Sequence, residues 1–328
     1  MRAVVLEQYG DPDVLQLQDV PDPVPGPDEV VVEIVSTSVN RPDLLQRRGR
    51  YPQPGPRGRY EIPGLEFAGV VIERGARAGL WNLGDEVMGI TAGGGHAERI
   101  AVHERQLAPV PVAVGARDAG VIPEVWITAW DALVLQGGLR PGDVALVHAG
   151  GSGVGTAAIQ IAKAVGATVV ATASSGKVAP CVALGADHAV DYATEDFVAA
   201  VEEISGGRGA DVVLDVVGGD YLDRNLAALA TRGRLVQVGT LASARTSINL
   251  GALMTKRATL IGTLLRPRPI EEKIAVTQRF AREVLPWFES GVCRPVIDRR
   301  FPLDKIAEAH RVLEANANVG KIAIDVKA

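Results

Sequence analysis

The sequence predicts an α/β chain of two domains, one on a doubly wound parallel sheet and one a compact barrel or sandwich of short strands. Three observations lead there. At 328 residues the chain is too long for one small core and comfortable for two. From about Pro123, apolar strand runs alternate with helical segments, the pattern of a parallel sheet covered on both faces. Before about Pro111, short β-type runs are instead punctuated by Pro, Gly and Asp.

In the first part, Glu29-Val30-Val31-Val32-Glu33-Ile34-Val35, Gly69 to Glu73 and Asp85 to Ile90 read as strands. The middle gives six: Asp143 to Ala149, Thr168 to Ala173, His188 to Tyr192, Asp211 to Val217, Arg234 to Gly239 and Thr259 to Leu264. Six strands in this alternation fit a dinucleotide-binding domain. After Pro269 the pattern predicts a helix over Ile270 to Glu289, a short strand near Pro295 to Ile297, a helix over Asp304 to Glu314 and a last strand, Lys321 to Val326. That tail has no core of its own and is expected to pack on the first domain.

Composition removes several classes of function. A net charge of −5 argues against a dedicated nucleic-acid binder, which needs a basic field to displace counterions. Cys181 and Cys293 cannot make a disulfide framework or a Cys-based zinc site. The apolar run Ala157 to Ala173 is interrupted by Gln160, Lys163 and Gly166, and the N-terminus lacks a secretory layout. A cytoplasmic, membrane-free protein is the expectation.

Ala149-Gly150-Gly151-Ser152-Gly153-Val154-Gly155 lies directly after a strand and before a helix. Glycines there permit a tight turn and close approach of a pyrophosphate, whose charge meets the helix N-terminus. On its outer glycines the loop reads Gly150-x-Ser152-x-x-Gly155, with Ser152 in the second glycine's place. The next strand ends Ala173-Ser174-Ser175-Gly176-Lys177, without the acid that holds a ribose 2′-hydroxyl in NAD enzymes. Hydroxyls and an ammonium suit a 2′-phosphate, so NADPH is the expected cofactor. Lys177 also reads as a solvated lysine at a helix start.

Several segments resemble the zinc-free quinone oxidoreductases of the medium-chain dehydrogenase/reductase family, the zeta-crystallin-like group and its stress-inducible branch. They are Ser38 to Arg47, Gly64-Leu65-Glu66-Phe67-Ala68-Gly69, His148 to Gln160, Leu264-Leu265-Arg266 and Glu314 to Lys321. The resemblance implies a GroES-like β-barrel catalytic domain, roughly 1–122 with 266–328, and a Rossmann domain over 123–265, with NADPH in the cleft between them. Zinc-dependent relatives place Cys where Asn40 stands and His where Leu65 stands. Glu66 persists and Glu124 lies near the third ligand's position, too few donors for catalytic zinc, so no metal is expected. Without a Lewis acid, reduction of an electron-poor acceptor is easier than alcohol oxidation.

The resemblance also assigns roles. Asn40 would contact substrate or cofactor, or else stabilise a turn. Tyr51 would steady the substrate oxygen or relay a proton, although a phenol near pKa 10 is a slow acid, or else is an ordinary loop tyrosine. Thr128, Tyr192, Gly239, Leu264 and Asn316 would join the loop residues, Ser174, Ser175 and Lys177 around the cofactor. His148 reads as a structural strand residue, and His96 as part of a hairpin turn. Arg41, Arg47, Arg48, Arg50, Arg57 and Arg59 read as a solvated face, or as positive potential near the cofactor. The expected reaction is hydride transfer from NADPH to a quinone or enone by a homodimer. An enoyl or enal reductase is the nearest alternative, and a NADPH-binding redox sensor or structural protein with little turnover is the other.

Overall fold

The computed structural model describes residues 1–54 and 59–327, and these form two units. Met1–Ile127 with Leu265–Ala328 make the first, and Thr128–Leu264 the second.

In the first unit, Arg2–Leu6 (β1) pairs antiparallel with Leu15–Asp19 (β2). The larger sheet contains Glu29–Val39 (β3), Glu66–Arg74 (β4), Glu86–Ile90 (β5), Arg99–His103 (β6) and Leu107–Pro109 (β7). The β-branched run of β3 keeps Val30, Val32 and Ile34 buried against Phe67, Val71, Val87 and Ile100.

The second unit holds Val144–Val147 (β8), Thr168–Ala173 (β9), His188–Asp191 (β10), Ala210–Asp215 (β11), Leu229–Gln237 (β12) and Thr259–Gly262 (β13). All neighbours are parallel, in the order β10-β9-β8-β11-β12-β13. The continuous apolar runs fit strands covered on both faces, and Val144, Leu146, Val170, Val213 and Leu235 are buried around Phe197 and Leu226. This is the doubly wound order, in which chain direction across the sheet reverses beside β8.

The tail returns to the first unit. Ile297–Pro302 (β14) and Lys321–Asp325 (β15) complete the larger sheet in the order β14-β15-β3-β4-β5-β7, with β6 on β3. The expected helix Ile270 to Glu289 is two, Ile270–Glu283 and Leu285–Glu289. Pro286 explains the break, because its ring clashes with a preceding carbonyl and it has no N–H to donate. The strand expected near Pro295 starts at Ile297 for the same want of a donor. β12 and β13 end at Gln237 and Gly262, leaving Gly239 and Leu264 beyond them.

Candidate active site

The loop 149–155 leaves β8 where the strand order reverses, the position at which open α/β sheets bind ligands. Ser152 caps the Gly153–Val165 helix by accepting the Gly155 amide at 3.0 Å. The amides of Gly153 and Val154 find no backbone acceptor among the described residues, so two donors remain at the positive end of the helix dipole. A Cβ on Gly155 would lie 2.2 Å from the Ala149 carbonyl oxygen, so only glycine lets the helix start this close to the strand. These features fit a pyrophosphate.

Beneath the loop, His148 lies buried just past β8. Its Nδ1 meets Thr172 Oγ1 at 3.0 Å and its Nε2 meets Asn225 Oδ1 at 2.7 Å. Asn225 donates to Asp215, which accepts the Val217 and Gly218 amides. This buried chain of bonds ties β8, β9 and β11 together under the loop.

The parallel register sets Asp191 beside Ala173 and so gathers the ends of β9 and β10. Ser174 starts the Ser175–Ala183 helix, Lys177 lies in its first turn, and Tyr192 follows β10, half exposed. The Lys177 stem packs over Gly151, where an added Cβ would come within 2.7 Å of it. Ser175 donates its hydroxyl to Asp191, which lowers that carboxyl's pKa. Asp191 is an acid the strand-end motif does not show, because it arrives from the neighbouring strand.

In the first unit a polar cluster is buried behind β3 and β4. Glu66 Oε1 pairs with Lys321 Nζ at 2.9 Å and accepts from Asn40 Nδ2 at 3.0 Å and from Ser38 Oγ. Glu66 Oε2 accepts the Glu124 amide at 2.7 Å. Lys321 also donates to Asn40 Oδ1. The Asn40 side chain is therefore bonded on both its ends within the chain, and its backbone amide donates to Asp43 Oδ2 at 2.7 Å as the Arg41–Arg47 helix begins. These bonds fix the Asn40 side chain between β4 and β15. Burial pushes the Asp43 carboxyl up, against the nearby His96 and the amides that bond it.

Tyr51 is held by Arg266. The guanidinium lies 4.9 Å from the Tyr51 ring centroid and donates to the Tyr51 carbonyl, the Ala92 carbonyl and Gln46 Oε1. Burial, then Glu124, push the Tyr51 phenol up, which makes it a still weaker acid. Glu124 lies in the first turn of the Pro123–Trp130 helix. Burial and then Glu66 push its carboxyl to about 8. Sequence reasoning missed Glu124 as an acid, since its neighbours come from distant segments.

Thr128 sits partly buried in the same helix, and exposed Leu264 follows β13. The Gly239 carbonyl accepts from Gln237. Asn316 has φ +53° just past the Ile306–Glu314 helix, the left-handed position where a helix-ending Asn is common. Arg47 corrects the reading of a solvated arginine face: its side chain is fully buried and ion-paired to Glu314. Arg57 lies outside the described residues.

Residues 26–112 match the alcohol dehydrogenase GroES-like domain family, and 184–324 match the zinc-binding dehydrogenase family. The quinone oxidoreductase of Lama guanicoe is 31% identical over 331 residues, covering 100% of this chain and 98% of that protein. The chain belongs to the medium-chain dehydrogenase/reductase family, in its quinone oxidoreductase group. The synaptic vesicle membrane protein VAT-1 homolog of Rattus norvegicus is 30% identical, covering 99% of this chain and 84% of that protein. The Escherichia coli quinone oxidoreductase, solved in complex with NADPH, superposes with a TM-score of 0.88 at 28% identity, covering 99% and 100% of the two chains. The Rossmann-type sheet and the NADPH-bound neighbour support a nicotinamide cofactor for this medium-chain oxidoreductase. Although one matching family is named for zinc, no group of three or more His, Cys, Asp or Glu among the described residues could hold a metal. No described helix is long and apolar enough to cross a membrane.

Proposed function

We propose that this protein is a metal-independent NADPH:quinone reductase, passing hydride from NADPH to a quinone or similarly electron-poor acceptor. The carrying observation is the Lys321 ammonium lying against Glu66 and against Asn40, which stands where zinc-dependent relatives place a Cys ligand. A cation is already bonded to that donor set, and Asn40 and Leu65 supply neither thiolate nor imidazole. The names of the matched quinone oxidoreductases support the acceptor class.

When bound, NADPH supplies the hydride. Gly150, Gly151, Gly153, Val154 and Gly155 would hold its pyrophosphate on the helix that Ser152 caps. Ser174, Lys177 and Tyr192 would hold its 2′-phosphate, and Ser175 would join them by turning its hydroxyl from Asp191 to the phosphate. Thr128, Gly239, Leu264 and Asn316 are the remaining proposed contacts. Tyr51, clamped by Arg266, positions the acceptor oxygen.

The protein is proposed to work in the cytoplasm as a homodimer. Leu260 on edge strand β13, with Leu250 and Met254, exposes apolar surface that a second copy would cover.

Steady-state oxidation of NADPH and NADH with quinones, enones, enals and alcohols tests the reading, alongside metal analysis and assay with a chelator. Faster quinone reduction with NADPH, indifferent to chelator, is expected. Chelator-sensitive alcohol oxidation with stoichiometric zinc would overturn it. Tight NADPH binding without turnover would favour a redox sensor.

A further inference from the structure

The end of β10 brings a fixed carboxylate to the corner where a cofactor's ribose binds. In a sheet of this order the ribose 2′ position lies beside the end of the second strand, here β9. Asp191 stands level with Ala173, the last residue of β9. One of its carboxylate oxygens accepts the Ser175 hydroxyl, and the other accepts the Ala193 amide at 3.1 Å. The Asp191 amide donates to Glu195 Oε2 at 2.7 Å, so a second carboxylate shares the corner. Asp191 is only half-buried, and its bonds come from a hydroxyl and an amide rather than from a cation. Its charge is therefore held in place without being neutralised.

That charge is one hydrogen bond from Ser175, which lies two residues beyond β9 in the same corner as Lys177. The Ser175 hydroxyl has a single proton, which can go to Asp191 or to a phosphate but not to both. A ribose 2′-hydroxyl brings a proton of its own, and the Asp191 oxygens keep lone pairs to accept it. A 2′-phosphate brings between one and two negative charges instead and competes for the serine. Lys177 favours the phosphate, and Asp191 opposes it.

Resting on the reading of this corner as the adenosine end of an NADPH site, we infer that Asp191 is a specificity-determining residue. It weakens binding of a 2′-phosphate and favours a 2′-hydroxyl, so that Lys177 and Asp191 together set how far NADPH outbinds NADH. All the residues involved lie in the Thr128–Leu264 unit. Removing a like charge from the edge of an exposed phosphate site should raise affinity about 5- to 10-fold.

Dissociation constants of NADPH and NADH for the full chain, followed by cofactor fluorescence, test this in wild type, Asp191→Asn and Asp191→Ser. Both variants should bind NADPH about 5- to 10-fold more tightly than wild type, with NADH unchanged or weaker. The ratio of variant to wild type should shrink between about 0.05 and about 0.5 M salt, because the gain is Coulombic. An unchanged or weaker NADPH affinity in either folded variant would overturn the role of Asp191. So would equal gains for both cofactors, or a gain indifferent to salt. Two replacements of different shape keep the test open if one of them fails to fold. No NADPH binding by wild type would overturn the cofactor reading and this role with it. NADH binding tighter than NADPH in wild type would overturn the NADPH preference alone, and a ratio shifted by the variants would still uphold Asp191.

Discussion

Lys321→Met leaves the Glu66 carboxylate buried without its cation. The lysine side chain is 5% exposed and that of Glu66 is 0% exposed, so water cannot take over the lost interaction. Breaking one partner from a buried pair costs about 3–5 kcal/mol, because the remaining charge keeps its desolvation penalty. Asn40 Oδ1 loses a donor in the same step. At about 2–4 °C per kcal/mol for a domain of 150–250 residues, the transition of the first unit should fall by roughly 6–20 °C. Thermal unfolding followed by circular dichroism, with cofactor binding as a marker of the second unit, separates the two transitions. Adding Glu66→Gln to Lys321→Met removes both charges and should restore most of the loss. A shift below about 2 °C for the single variant, or a double variant no better than it, would refute the reasoning. In a folded Lys321→Met protein the Glu124 carboxyl should titrate higher than in wild type, because Lys321 lowers it.

Lys177→Ala should weaken NADPH binding by about 10- to 150-fold and leave NADH nearly unchanged, if the ammonium meets a 2′-phosphate. Dissociation constants for both cofactors decide it, and equal losses would assign Lys177 to the pyrophosphate beside Gly151. Tyr51→Phe should lower kcat only modestly, since burial and Glu124 make the phenol a poor acid; a 1,000-fold loss would show that the hydroxyl is obligatory. His310 is buried beside His96 and Arg47, with both ring nitrogens unbonded, and burial holds its pKa well below 6.5. The unfolded chain therefore takes up a proton below pH about 6.5 that the folded chain resists, so stability falls on acidification by up to about 1.4 kcal/mol per pH unit. Melting temperatures at pH 7.5 and 5.5 should differ less in His310→Leu than in wild type, and equal differences would discount the histidine.

The parts legible in the sequence are those whose signal is local. A strand, a glycine loop and a helix lie in one continuous stretch at Asp143 to Val165, and the six-strand alternation repeats over short distances. What escaped depends on partners far along the chain. Arg47 looked solvated because Glu314, its counterion, is 267 residues away. Glu124 carries no signature of acidity, because its charged neighbours come from segments around residues 43, 66, 266 and 321. Asp191 belongs to the next strand, and only the parallel register brings it to Ser175. The break before Pro286 is different, since a proline there is a local signal against one continuous helix.

The position of the last strand bears on how the chain is made. β15 lies inside the larger sheet, with β14 on one side and β3 on the other, and its Lys321 reaches a residue 281 positions earlier. During synthesis, at about 5–20 residues per second, the middle of the chain can emerge and fold while the N-terminal strands still wait for this partner. Until Lys321–Asp325 has left the ribosome, Glu66 has no ammonium and the Ser36–Val39 part of β3 has an open edge. The nascent protein is then most vulnerable around β3, although that strand appears long before its partner.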